Sequence, residues 1–141
     1  MVTLIGMGSG KWEALSAQAQ QAVRSAGLVF GAKRLLAGLP ADCTARQFAL
    51  YQPADILEIL AQAPGQDAAV LYSGDTGFYS GASGLLTPLR ALGIPARVYP
   101  GVSSIQLLSA ALGRPWQDWK LVSAHGCACD PVAECMMNRS V

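Results

Sequence analysis

Three short turns hold most of the residue types that could do chemistry: Gly6-Met7-Gly8-Ser9-Gly10, Ser73-Gly74-Asp75-Thr76-Gly77 and Pro100-Gly101-Val102-Ser103-Ser104. Glycine lets a backbone come close to a ligand, so such turns suit a group held mainly by main-chain N–H and C=O. The first turn invites a dinucleotide reading, which its spacing excludes. That fingerprint is G-x-G-x-x-G, whereas here the third glycine arrives one residue early and Lys11 stands in its place. The next apolar run, 28–30, ends in Gly31 instead of the acidic residue that would grip an adenosine ribose. A P-loop is excluded as well, because Gly10-Lys11 is followed by Trp12 rather than Ser or Thr.

Hydrolytic chemistry finds no support. G-x-S-x-G is absent, and the sole histidine, His125, lies in a Gly-Cys setting late in the chain. Of the four cysteines, Cys43, Cys127, Cys129 and Cys135, the last three lie close to His125, but a C-x-C spacing is tight for zinc, which favours two to four intervening residues. Ordinary reduced thiols are expected and no protein-bound metal. What remains is one acidic residue, Asp75, inside a set of glycine turns, which suits an uncharged or cationic nucleoside-like ligand. The same residues have structural uses: Asp75 can bond its own turn, and Ser103 or Ser104 can cap a helix.

The elements that must position these turns alternate. Segment 2–5 reads as a buried strand, and 12–26 as a helix with Trp12, Leu15, Ala19, Ala22, Val23 and Ala26 at spacings of three and four. Short strands are expected at 28–30 and 44–50, a helical turn at 31–36 and a helix opened by Pro53 at 53–63. Segment 68–72 is the clearest buried strand. A helix at 80–92, a strand at 96–99 and a helix through residue 112 complete the series. Strand and helix in alternation with short connections define an α/β fold, an open and mostly parallel sheet with helices on both faces. Ligands of such sheets bind beyond the carboxyl ends of the strands, where all three turns fall.

Composition sets the outer bounds. At 141 residues the chain is one domain's worth of sequence, and a domain of that size buries about two thirds of its surface. Ten Lys+Arg against nine Asp+Glu, with no basic stretch, argue against a nucleic-acid partner. Charged residues make up 13%, about half of the roughly 25% usual for soluble domains, while 52% are hydrophobic. Apolar runs break well before the ~18 residues of a membrane span, and the start lacks the build of a signal peptide. A cytoplasmic protein without membrane attachment is expected, carrying an apolar face for a second subunit or a missing half.

VTLIGMGSG, GAKRLL, LYSGDTGFYSGA, VYPGVSSIQLLSAALGRPWQDWKLVSAHG and DPVAECM together resemble the tetrapyrrole methylases, and within them the precorrin-6Y methyltransferases of cobalamin biosynthesis. The resemblance implies two α/β domains with S-adenosylmethionine in the cleft between them and a corrinoid in an adjoining trough. On that reading, 1–125 is the amino-terminal domain and 126–141 begins the connection to a missing carboxyl-terminal domain, with a homodimer as the assembly. It implies cofactor contacts from Ser73, Gly74, Asp75, Phe78, Ser103 and Ser104. Substrate contacts would come from Gly8, Ser9, Gly10, Lys33 and Arg34, the two cations pairing with acetate and propionate arms. Core packing is the plainer use for Phe78 and Tyr79, and a solvated surface for Arg97 and Arg114. The implied reaction is methylation of ring carbon C5. Alternatives are a relative acting on uroporphyrinogen, diphthine or ribosomal RNA, and a nucleotide-binding module without catalysis.

Overall fold

The computed structural model describes residues 1–123 and Val132, and 126–141, expected to begin an interdomain connection, lie outside the described residues save for Val132. Five strands form one sheet: β1 (Val2–Gly6), β2 (Leu28–Phe30), β3 (Arg46–Phe48), β4 (Ala68–Tyr72) and β5 (Ala96–Tyr99). All neighbours are parallel and the order is β3-β2-β4-β1-β5. The helices between them are α1 (Ala17–Ser25), α2 (Lys33–Leu36), α3 (Pro53–Gln62) and α4 (Ala82–Ala91), with α5 (Ser104–Leu112) last.

Central β1 and β4 read VTLIG and AAVLY, buried along their whole length because both faces are covered. Alternate residues divide between two cores. Leu4, Phe30, Val70 and Tyr72 pack with Ile56 of α3 and Ala82, Leu85 and Leu89 of α4. Ile5, Val29, Ala69 and Leu71 face the other way, onto Ala19 and Val23 of α1 and Leu35 of α2. Phe30 and Phe48 stack at 5.2 Å and hold the weak edge strand β3 in place.

This division fixes where the sheet can bind anything. Right-handed crossovers that step toward β3 must lie on one face, and those that step back toward β5 on the other. The chain therefore leaves β1 over the α1 face and leaves β4 over the α4 face, although the two strands are neighbours. Their carboxyl ends form the point where the direction of winding reverses, which is where open α/β sheets leave a crevice.

The expected helix at 12–26 is two pieces. Trp12–Ala14 is a single 3-10 turn that buries Trp12, and Ser16, extended at ψ 151°, caps α1 by accepting from the Ala19 N–H at 3.2 Å. The apolar spacing runs through both pieces, but a serine whose oxygen satisfies an orphan N–H starts a helix where it stands. At the other end of α4, Gly93 has φ +66° and the Ile94 N–H reaches back to Leu89 at 2.9 Å, closing the helix in a left-handed cap.

Gly6, Gly74 and Gly101 meet at the ends of β1, β4 and β5. A Cβ on Gly101 would overlap the Gly74 carbonyl oxygen and stand 2.6 Å from the Gly6 carbonyl, and one on Gly6 would stand 2.6 Å from the Gly101 nitrogen. Backbone atoms cannot yield as a flexible side chain would. Gly101→Ala should therefore cost about 3 kcal/mol or more in denaturant unfolding. Gly93→Ala, in open space, should cost only about 1 kcal/mol for the left-handed conformation. Equal losses at the two positions would show that the junction is not sterically closed.

Candidate functional site

The turns after β1 and β4 are tied directly to each other. Gly8 and Gly74 exchange both of their backbone hydrogen bonds at 3.0 Å, an isolated antiparallel bridge just past the sheet. Asp75 then ties in the third turn: its Oδ1 accepts from the Gly101 N–H at 3.1 Å and its Oδ2 from the Gly77 N–H at 2.9 Å. Sequence offered Asp75 either as a ligand handle or as a bond to its own turn. The structure adds a use that no spacing shows, a bond across 26 positions to the turn after β5.

Ser103 is buried and serves as the cap of α5. Its hydroxyl accepts from the Gln106 N–H at 3.3 Å while the Gln106 side chain accepts from the Ser103 N–H at 2.8 Å, a reciprocal capping box. Ser104 is left exposed in the first turn of the helix.

Beside these turns opens a cleft of about 1290 Å³. Of the eleven residues expected to contact ligand, the structure brings Gly8, Arg34, Ser73, Gly74, Asp75, Phe78, Ser103 and Ser104 to its wall. Ser9, Gly10 and Lys33 do not line it. Lys33 and Arg34 are consecutive on α2, where successive side chains point about 100° apart, so one of the pair turns to the cleft. Arg34 spans the cleft mouth, its Nη2 donating to the Ser73 hydroxyl. Arg97 lies away from the cleft on β5, its guanidinium 3.4 Å from the Tyr99 hydroxyl, and Arg114 follows α5 at the surface.

Phe78 and Tyr79 belong to neither core cluster. They meet edge to face at 4.9 Å on the cleft wall, with Tyr79 65% exposed and its φ at +46°. Tyr51, Tyr72 and Trp119 also line the cleft and were not anticipated. Tyr51 follows β3 and Tyr72 ends β4, so the rule that sites gather at strand carboxyl ends could have found both. The Tyr72 hydroxyl is buried with no hydrogen-bond partner, and burial pushes the phenol up from 10 to about 12. Cys43 is a half-buried free thiol, while His125, Cys127, Cys129 and Cys135 lie outside the described residues. Among the described residues no cluster of three metal-binding side chains occurs, and no helix is long and apolar enough to cross a membrane.

An open parallel α/β sheet with a glycine-walled cleft at its winding reversal is of the doubly wound kind, a class whose ligands bind at that point. Residues 1–136 match the tetrapyrrole (corrin/porphyrin) methylases, and the chain belongs to that family. It is 34% identical over 128 residues to a cobalt-precorrin-7 C(5)-methyltransferase of Salmonella typhimurium, a match spanning 89% of this chain and 62% of the relative. A precorrin-4 C(11)-methyltransferase of Rhodococcus erythropolis is 30% identical over 120 residues, spanning 80% of this chain and 48% of that protein. The methyltransferase CobJ has the same fold, with a TM-score of 0.75 at 23% identity over 98% of this chain and 61% of its own. The chain thus spans about three fifths of the length of the first of these relatives.

Two outcomes follow from the site's geometry. Asp75→Ala removes the shared acceptor of Gly77 and Gly101 and should lower unfolding free energy by about 1–2 kcal/mol, with Asp75→Asn losing less because one acceptor oxygen remains. An unchanged midpoint for the alanine variant would refute the clamp. In alkali, the unfolded Tyr72 phenol loses its proton near 10 and the folded one near 12, so stability should fall as pH rises through that window. Tyr72→Phe should remove that share of the decline, and an identical alkaline slope in both proteins would refute the burial effect.

Proposed function

We propose that this chain is the ligand-binding amino-terminal part of an S-adenosylmethionine-dependent methyltransferase that acts on ring carbon C5 of a precorrin or cobalt-precorrin in cobalamin biosynthesis. The observation that carries the proposal is the cleft at the β1/β4 winding reversal, walled by main-chain turns and aromatic rings, with Asp75 its one carboxylate among the described residues. The C5 specificity rests on the cobalt-precorrin-7 relative. The donor reading is supported by the family and by a uroporphyrin-III C-methyltransferase of the same fold from Thermus thermophilus, solved with S-adenyl homocysteine.

The cleft's own features suit such a donor. Its volume exceeds the ~300–1,000 Å³ of ordinary ligand pockets, so a nucleoside and an edge of a macrocycle have room together. Gly74 leaves space where a side chain would stand, with only the Ser103 Cα within 4 Å of a built Cβ. When bound, the donor would supply an activated methyl on a positively charged sulfur, which a nucleophilic ring carbon takes as the carbon–sulfur bond breaks. The chain's residues need only hold the partners in line, and alignment alone is worth several orders of magnitude in rate. No strong base is required for the methyl transfer itself.

The roles follow from placement. Ser73, Gly74 and Ser104 present polar groups to the donor, while Asp75 and the Ser103 cap hold the turns that carry them. Arg34 exchanges the Ser73 hydroxyl for a carboxylate arm of the tetrapyrrole, a pairing its fork-shaped guanidinium suits. Phe78 and Tyr79 offer ring faces to the adenine or the macrocycle. The remainder of the protein, by analogy with the longer relatives, closes the cleft from the side of α5, and the assembly is a homodimer in the cytoplasm. A second reading, methylation at a different ring carbon, is supported by the precorrin-4 C(11)-methyltransferase relative.

Calorimetric titration with S-adenosylhomocysteine, run beside NAD, tests the proposal. Micromolar binding, about −8 kcal/mol, is expected for the former and none for NAD. Selective binding of NAD would overturn the reading, and binding of neither would remove the donor site from this chain.

A further inference from the structure

Tyr72 stands apart from every other polar side chain in the cleft wall. Its residue is 9% exposed, its hydroxyl is shut off from solvent, and that oxygen is the one buried side-chain polar atom without a hydrogen bond among the described residues. A buried hydroxyl in this state is a net cost that phenylalanine, of the same shape, would not bear. Core packing alone therefore gives no reason for a tyrosine here.

The segment beside the Tyr72 ring holds a residue in a strained conformation. Gly81 lies over the ring, close enough that a Cβ built on it would touch Cε1 at 3.7 Å. Between Asp75 and Gly81 the turn is pinned at its two ends, by the Gly77 N–H on Asp75 and by the Ala82 N–H on the Ser80 hydroxyl. In the middle sits Tyr79, an exposed non-glycine residue with φ +46°, outside both core clusters. Such a conformation persists where its surroundings impose it, and it gathers at sites that change on ligand binding. The orphaned hydroxyl and the left-handed Tyr79 are separate observations on the lining of one cleft.

We propose that Tyr72 is a ligand-contacting residue, whose hydroxyl hydrogen-bonds an acceptor oxygen of an adenosyl ligand once the 76–81 turn shifts away from it. The inference rests on the proposed function for the identity of the ligand. The partner is an acceptor because the phenol keeps its proton through the neutral range and has a free O–H to donate. The ribose hydroxyls and the carboxylate of S-adenosylhomocysteine both belong to that class. Tyr72 lies directly before Ser73 and Gly74, so the contact would be made at the end of the strand that already carries the turn.

Tyr72→Phe in this chain tests it with two readouts of opposite sign. Removal of an unpartnered hydroxyl should leave the melting temperature of the free protein unchanged or raised. The same change should weaken S-adenosylhomocysteine binding by about tenfold in calorimetry, because the bound state loses a hydrogen bond. A merely structural tyrosine would lower the melting temperature and leave Kd where it was. An unchanged Kd overturns the inference while the proposed function stands, and so does a fall in melting temperature, which would reveal a partner in the free state. If the unaltered chain binds no S-adenosylhomocysteine, the functional reading fails first and this inference falls with it.

Discussion

Everything in the site depends on how closely three backbones approach one another beyond the sheet. Gly6 and Gly101 lie so close to each other and to the Gly74 carbonyl that neither could carry a side chain, and this closeness lets the turns after β1, β4 and β5 act as one wall. The reciprocal Gly8–Gly74 bonds and the two-ended grip of Asp75 then lock a junction that steric fit alone would leave free to slide. Loops are usually the mobile part of an α/β protein. Here they are cross-bonded almost as a sheet is, so ligand-facing main-chain groups are placed before any ligand arrives, and less ordering is left for binding to offset.

A second wall of the cleft is built differently. The α5 cap and the glycine junction define one side of the cleft with few exposed options for change. That second wall is the 76–81 turn, with an edge-to-face aromatic pair whose Tyr79 is exposed and in the left-handed region, and with the Tyr72 ring next to Gly81. Local stability is uneven across structures, and elements that must move are drawn from its weaker end. A site with one fixed and one adaptable wall can hold a donor accurately while admitting a second, larger reactant. The absence of strong titratable chemistry around it is consistent with a reaction whose demand is alignment.

The fold was legible in the sequence because its information is local. Buried runs such as 68–72 and helices closed by Gly-containing turns follow from burial and backbone conformation, and the order of elements came out as read. Strand 44–50, the helical turn 31–36 and helix 80–92 came out shorter, as β3, α2 and α4, and the largest boundary error, the start of α1, arose because Trp12 and Leu15 obey helical spacing while Ser16 answers to a capping bond that spacing does not register. The site was legible in part. Glycine turns at strand ends announce themselves, but the Asp75–Gly101 bond and the orphaned Tyr72 hydroxyl exist only after residues distant in sequence have been brought together. Tyr72 also ends an apolar strand, where a phenol reads as one more core ring. The contrast between Arg34 and Lys33 is of the same sort, since adjacent positions in a sequence look alike and differ only in which way the helix turns them.

The carboxyl-terminal edge of the domain differs from the rest in how little it buries. α5 has no buried residue, and Leu107, Leu108 and Leu112 are 45%, 49% and 55% exposed beside Val98 and Val102. β5, the edge strand before it, is exposed along most of its length. The helix is nevertheless well made, with a full capping box at one end and a left-handed glycine closing the other. Helices of nine residues are marginal in water on propensity alone and draw most of their stability from packing. A helix with complete caps and an apolar, unpacked surface leaves that surface unpartnered among the described residues. Ser103, Ser104 and Leu107 also line the cleft, so this apolar surface adjoins its open side. α5 carries no charged residue, so part of the low charge content of the sequence is an apolar surface beside the open side of the cleft.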